Sequence, residues 1–400
     1  MYRHIRITAP FATIAVAAAL TVGGAAAAAT GGQHSQAAGM AGAGQTSGRS
    51  AVPWSKVGPG WALVTYTTAT PFAAPHPQPG ATTLYLVDPA GGKYVMHRWP
   101  KVPADGGVFL VGWSGDKTRA MLEVAKSPTS SAEQLDQLTL ATGKLTRLPL
   151  PASDSPLSYT RPHGTAVLAE HFVKSPSEIQ IVRYSLSGKL QKVLFTQKTA
   201  RNGGASFTFG PFSPYNLDGT KIALTFFSGG TKSATQSLLV SNAGGVIRRY
   251  GSTDSCVVAR WWTSTALLTV NCARSRLFVT PASGARPIAL TPGTTSPELF
   301  EQNAVELARH TYVQESGPAC GSNFLSVVRN GHLDPLSPAH VSGATIVTAS
   351  TSSLLIVAER CMGSSSLLWF NPRTKAEVRV LGQNHGQGVI GWLPYYEINR

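Results

Sequence analysis

Four of the chain's eleven glutamates end a short β-rich run at one position of a recurring pattern: GTAVLAE, KTRAMLE, RHTYVQE and SLLIVAE finish in Glu170, Glu123, Glu315 and Glu359. Two further runs, GTKIALT and TALLTVN, place Thr225 and Asn271 there. Carboxylates gathered at one register of a repeat would form an acidic ring. On a basic protein such a ring attracts a cation, an amine or a Lys/Arg-rich peptide. The same positions also suit solvated strand ends, where Glu is common. His171 follows Glu170 directly, which makes this pair the candidate acid and base of a lyase or hydrolase. His310 and His340 fall in other loops predicted for the same face, and a solvated histidine is the plainer reading of each.

Signatures of more specific chemistry are missing from the sequence. It has no HExxH, no HxH pair and no DxDxDG calcium loop, so no metal is expected. GWSGD from Gly112 has its glycine one position early for a nucleophile elbow, and the Gly-Lys pairs are followed by Leu or Tyr where a P-loop needs Ser or Thr. No cofactor is expected either. The four cysteines form no CxxC. An even number in an exported chain favours disulfides, and of three connectivities the reading chosen is Cys256–Cys272, across a predicted strand–turn–strand, with Cys320–Cys361 joining neighbouring repeats.

The elements that must position these residues are announced by a turn that recurs seven times: DPAGGK from Asp88, ATGK from Ala141, LSGK from Leu186, NAGGV from Asn242, PASGAR from Pro281, RNGH from Arg329 and NPRTK from Asn371. Adjacent copies lie 39 to 57 residues apart, a period typical of propeller blades. In most copies an apolar run enters the turn and another leaves it, as in a β-hairpin. Upstream lies a second strand–turn–strand pair, clearest from Val108, Leu157, Phe207, Cys256 and Ala344. Four antiparallel strands per repeat predict an all-β, seven-bladed β-propeller. The tail GVIGWLPYYE from Gly388 reads as the inner strand of the first blade, whose second strand is GWALVTYT from Gly60, so the two ends close the ring. The blade around Asn303 to Ser337 is the least regular, and Trp113, Trp261, Trp262 and Trp392 read as packing between blades.

The segment FSPYNLDGTKIALTF, Phe212 to Phe226, resembles the repeat of TolB-type β-propellers, a WD40-like architecture whose hallmark is a Ser-Pro-Asp-Gly-like turn before a strand. Here the turn residues are Ser213, Pro214, Asp218 and Gly219, with three extra residues inside, and Trp113, Ser114 and Asp116 echo them in a second blade. The resemblance implies a protein-binding propeller of the cell envelope. It departs from that family in blade number, seven against six, and shows no separate N-terminal domain.

Arg3 and Arg6, an apolar stretch from Ile7 to Val22 and the small-residue run GGAAAAAT predict a signal peptide over residues 1–29, the alternative being a retained anchor. No cysteine precedes Cys256 to carry a lipid. Residues 30–51, rich in Gly, Ala, Ser and Gln, read as a disordered spacer, and residues 52–400 as the propeller. The net charge of +15 suits anionic envelope polymers, whereas no base-reading motif accompanies the dispersed Lys and Arg to suggest nucleic acid. The sequence thus points to a secreted, monomeric, non-catalytic recognition or scaffold module with a protein or peptide partner at the channel mouth. The alternative is a propeller enzyme using Glu170 and His171.

Overall fold

The computed structural model describes residues 46–68, 79–103, 107–125, 134–173, 177–199, 205–208, 212–228, 234–250, 257–271, 275–294, 299–317, 323–336, 343–359, 365–382 and 389–395. After β1 (Thr46–Gly48), the first blade contributes β2 (Ala62–Thr67), β3 (Gly80–Val87) and β4 (Lys93–Val102). The second holds β5 (Gly107–Trp113), β6 (Arg119–Ala125), β7 (Gln134–Thr139) and β8 (Lys144–Arg147). The third holds β9 (Ser155–Tyr159), β10 (Ala166–Val173), β11 (Glu178–Ser185) and β12 (Leu190–Lys198). The fourth holds β13 (Ala205–Thr208), β14 (Lys221–Ser228), β15 (Ala234–Ser241) and β16 (Val246–Arg249). The fifth holds β17 (Val257–Thr263), β18 (Ala266–Asn271), β19 (Arg276–Pro281) and β20 (Ile288–Ala289). The sixth holds β21 (Phe300–Leu307), β22 (His310–Ser316), β23 (Asn323–Arg329) and β24 (His332–Pro335). The seventh holds β25 (Gly343–Ala349), β26 (Leu354–Glu359), β27 (Ser365–Phe370) and β28 (Glu377–Leu381), and β29 (Val389–Pro394) follows.

Each blade is a four-stranded antiparallel meander, and the seven form a β-propeller. All seven recurring turns join the third strand of a blade to its fourth. In some of them glycine supplies more than backbone freedom. At Gly188, where φ is positive, a Cβ would also collide with the Pro149 carbonyl of the preceding blade. The sixth blade, irregular in sequence, is regular in structure. Strand β29 pairs antiparallel with β2, from Ala62 opposite Pro394 to Thr67 opposite Val389, so the first blade is built from both ends of the chain.

One boundary needs correction. Thr46–Gly48, assigned from composition to the disordered spacer, form β1, which pairs parallel with Lys93–Val95 on the outer edge of the first blade. A short 3-10 turn, Arg49–Ala51, follows. A ladder made of backbone groups leaves no apolar signature in a Thr-Ser-Gly stretch.

The core is divided among the seams between blades. Leu168 and Ile181 pack against Tyr215, Ile222 and Leu224 across the third seam, and Ala223 and Leu239 pack against Trp261 and Leu267 across the fourth. Trp113, Trp261 and Trp262 are buried in such seams, as their recurrence suggests. Fully burying one large apolar side chain contributes about 1.5–3 kcal/mol, so each seam depends on a handful of residues.

Candidate functional site

In the second to seventh blades the predicted polar residue lies on the B strand, the second of its blade: Asn271 and Glu359 end β18 and β26, whereas Glu170 and Thr225 lie three residues before the ends of β10 and β14. Glu170 and Thr225 do the same work. The Glu170 carboxylate accepts the Phe207 N–H of β13 at 2.6 Å, and the Thr225 hydroxyl accepts the Val258 N–H of β17 at 2.8 Å. In each case a B strand holds the inner strand of the next blade, a backbone group that would otherwise stay unpaired in a seam. Gln314 on β22 repeats the device, its side-chain oxygen accepting the Ile346 N–H of β25 at 3.0 Å. Sequence singles out its neighbour, Glu315, instead.

Glu123, Asn271 and Glu315, expected in a ring at the channel mouth, are buried. Glu170 is half-buried. Glu359 ends β26 opposite Gly343, at the expected register. The loops beyond these strand ends, with His340 and the cysteines Cys256, Cys272, Cys320 and Cys361, lie outside the described residues. His310 does not share their face: it opens β22 directly after the Ala308–Arg309 turn, at the opposite end of the blade.

Glu170 and His171 do not act together, because adjacent strand residues point to opposite faces. Glu170 reaches the fourth blade, and His171 reaches Asp154, which immediately precedes β9 in its own blade. The His171 Nδ1 lies 2.7 Å from Asp154 Oδ1, and the Tyr184 hydroxyl donates to Asp154 Oδ2 at 2.5 Å. Ser153 Oγ donates to Asp154 Oδ1 at 2.9 Å. The Asp154 side chain is wholly buried, while that of His171 keeps 32% of its exposure. A buried carboxylate bonded to one imidazole nitrogen fixes the ring and leaves the other nitrogen available for a proton transfer. Burial and the Asp154 bond push the Tyr184 phenol far up, so it remains a donor. Asp154 carries no sequence signal beyond standing just before an inner strand.

Glu315, expected in the acidic ring, instead forms a buried pair with Glu301, which sequence does not single out. Glu301 on β21 stands directly opposite Glu315 on β22. One Glu301 oxygen accepts the Leu277 N–H of β19 at 2.8 Å and the Thr291 hydroxyl, while the other is buried with no partner among the described residues. Ser326 donates to Glu315 at 2.5 Å. Burial pushes the Glu301 carboxyl up to about 7; the Thr291 and Leu277 bonds oppose the rise, the Glu315 charge adds to it, and Arg276 reduces it. Glu301 therefore exchanges its proton near neutrality.

The two turns carrying the repeat hallmark share one network. Asp218 accepts the Thr220 N–H at 2.8 Å and the Thr220 hydroxyl at 2.5 Å, and Asn216 accepts the Lys221 N–H at 2.8 Å. In the second blade Asp116 accepts Thr118 in the same way, and Ser114 Oγ takes the place of Asn216 by accepting the Arg119 N–H at 2.9 Å. The Thr220 bonds hold the Asp218 carboxyl below the usual carboxylate range. These residues build turns at the face opposite the B-strand ends. Among the described residues no group of three or more His, Cys, Asp or Glu is placed to hold a metal ion.

No protein-family model and no curated protein matches the sequence. Among solved structures the chain is similar to a prolyl endopeptidase, with 12% identity and a TM-score of 0.53 over 78% of this chain and 47% of that one. It thus spans about half that enzyme's length. It is also similar to the β-propeller domain of the Trilobed protease from Pyrococcus furiosus, with 10% identity and a TM-score of 0.50 over 80% of this chain and 92% of that one. TolB from Acinetobacter baumannii matches at 13% identity and a TM-score of 0.41, over 83% of this chain and 67% of that one. At such identities the likeness is one of fold alone.

Proposed function

We propose that this chain is an exported, non-catalytic recognition or scaffold module of the cell envelope, a TolB-like propeller that binds a protein or peptide partner at the face formed by the B-strand ends. The observation that carries this reading is the use made of the polar residues there. Glu170 and Thr225 fasten one blade to the backbone of the next, which makes a rigid platform for the surrounding loops. Glu170, half-buried, is an acidic group on these strands whose exposure suits a basic peptide. The repeat-type turns at Asp116 and Asp218 agree with the resemblance to TolB-type propellers.

Capture from native envelope and culture supernatant tests the reading. A specific partner should be retained by the wild-type protein and lost on competition with a Lys-rich peptide, and recovery of no partner from either source would overturn it. Intact-mass analysis of the exported protein should give a chain beginning near Thr30, and non-reducing peptide mapping should join Cys256 to Cys272 and Cys320 to Cys361.

A second reading rests on the Asp154–His171 bond, which orients an imidazole as a general base would need. Turnover of an ester, lactone or peptide substrate that is abolished by His171→Ala and lowered at least about tenfold by Asp154→Asn, with the fold unchanged, would replace the non-catalytic assignment with this one.

A further inference from the structure

Exposed apolar side chains gather on one arc of the outer rim, with basic side chains among them. Of the nine large hydrophobic side chains exposed among the described residues, five lie on the outermost strands of three consecutive blades: Leu190 and Val193 on β12, Val246 and Ile247 on β16, and Ile288 on β20. The outermost strands of the other blades, β4, β8, β24 and β28, carry none among the described residues. The outermost strands of this arc carry Lys192, Lys198, Arg248 and Arg249 and no acid. β4 and β8 are basic as well, whereas β24 carries Asp334 and β28 carries Glu377 beside Arg379.

The arc is continuous. The Gly245 N–H, in the turn before β16, donates to the Leu194 carbonyl of β12 at 2.7 Å, which ties the third outer strand to the fourth. Arg248 donates to the Ser283 carbonyl in the turn before β20 at 2.8 Å. Lys192 and Arg249 are exposed, and the Arg249 guanidinium lies over the Phe195 ring, 5.4 Å from its centroid. The first blade has its outer edge covered by β1, whereas β12, β16 and β20 end their sheets. A soluble polyanion would answer the charge and leave the apolar side chains in water. An anionic bilayer answers both, since Lys and Arg meet the phosphates while the aliphatic side chains enter the boundary between headgroups and acyl chains.

We propose that the outer rim of the third, fourth and fifth blades docks peripherally on an anionic lipid bilayer. The test is co-sedimentation of the full chain with phosphatidylglycerol-containing vesicles, with phosphatidylcholine vesicles and soluble polyphosphate as the other arms. The wild type should pellet with the anionic vesicles, not with the neutral ones, and should be released by salt. Lys192→Glu with Arg249→Glu should weaken vesicle binding at least about tenfold. Val193→Ser with Ile247→Ser should weaken it several-fold while leaving polyphosphate binding unchanged. Thermal unfolding verifies that each variant is folded, and Leu190→Ser with Ile288→Ser serves as the alternative apolar pair. Absence of vesicle binding, equal binding to neutral vesicles, or undiminished binding by the folded apolar variants would overturn the proposal. The last outcome would assign the surface to soluble polyanions. None of these outcomes bears on the partner-binding face, which lies on other strands' ends.

Discussion

Between the third and fourth blades a half-buried carboxylate, Glu170, takes the N–H of the following inner strand. Between the fifth and sixth blades a fully buried one, Glu301, reaches back to the N–H of Leu277 and stands opposite a second acid. The first acceptor keeps contact with water. The second lost that contact, and its carboxyl holds a proton to about pH 7. Both seams answer an N–H of a neighbouring blade with a carboxylate, and in the second, burial raises that carboxyl to about 7. The fourth seam, where the uncharged Thr225 accepts from Val258, avoids the question.

The sharpest way to break this comparison is Glu301→Gln. A group whose folded pKa lies above its unfolded value favours the folded state while protonated, and that stabilisation is lost as pH rises from about 4.5 through about 7. Denaturant unfolding should therefore show Glu301→Gln more stable than wild type at pH 8, by on the order of 3 kcal/mol, with the difference vanishing near pH 4.5. A difference independent of pH would sink the idea. Thr225→Val comes next: it leaves the Val258 N–H buried without an acceptor and should cost about 1–3 kcal/mol at both ends of that pH range. Glu170→Ala should cost least, about 1 kcal/mol, because water reaches that seam. Glu170→Gln, which keeps an acceptor oxygen, should restore most of it. If Glu170→Ala proved costlier than Thr225→Val, burial would not be what ranks the seams.

The blade plan was legible because its turns are written in residues with a double duty. Gly188 and Gly219 take a positive φ and also pass against the carbonyls of Pro149 and Arg161 in the neighbouring blade, so the chain has little freedom to replace them. The common register of Glu170 and Thr225 was legible as well, although its meaning was not. Alternation along a strand reports which residues share a face, and says nothing of what the next blade presents to that face. Asp154 and Glu301 escaped notice for the same reason. Each is an isolated acid whose partners, His171 and Tyr184 in one case and Leu277, Thr291 and Glu315 in the other, come from strands brought together only by the ring. Strand β1 escaped because its ladder is backbone alone.

The pairing of β29 with β2 has a consequence for the order in which the molecule can be made. Ladder partners such as Leu63 and Leu393 are separated by nearly the whole chain. During synthesis the later blades can assemble from strands close in sequence while the first waits for its inner strand. Until then the nascent ring stands open, with the edge of β2 and its Ala62 and Val64 uncovered, residues that the finished protein buries completely. Such long-range pairing is slow to form and exposes a sticky edge in the interval. A chain interrupted before Val389 would thus remain an unclosed arc, open to a second chain's strand and a natural target for proteolysis.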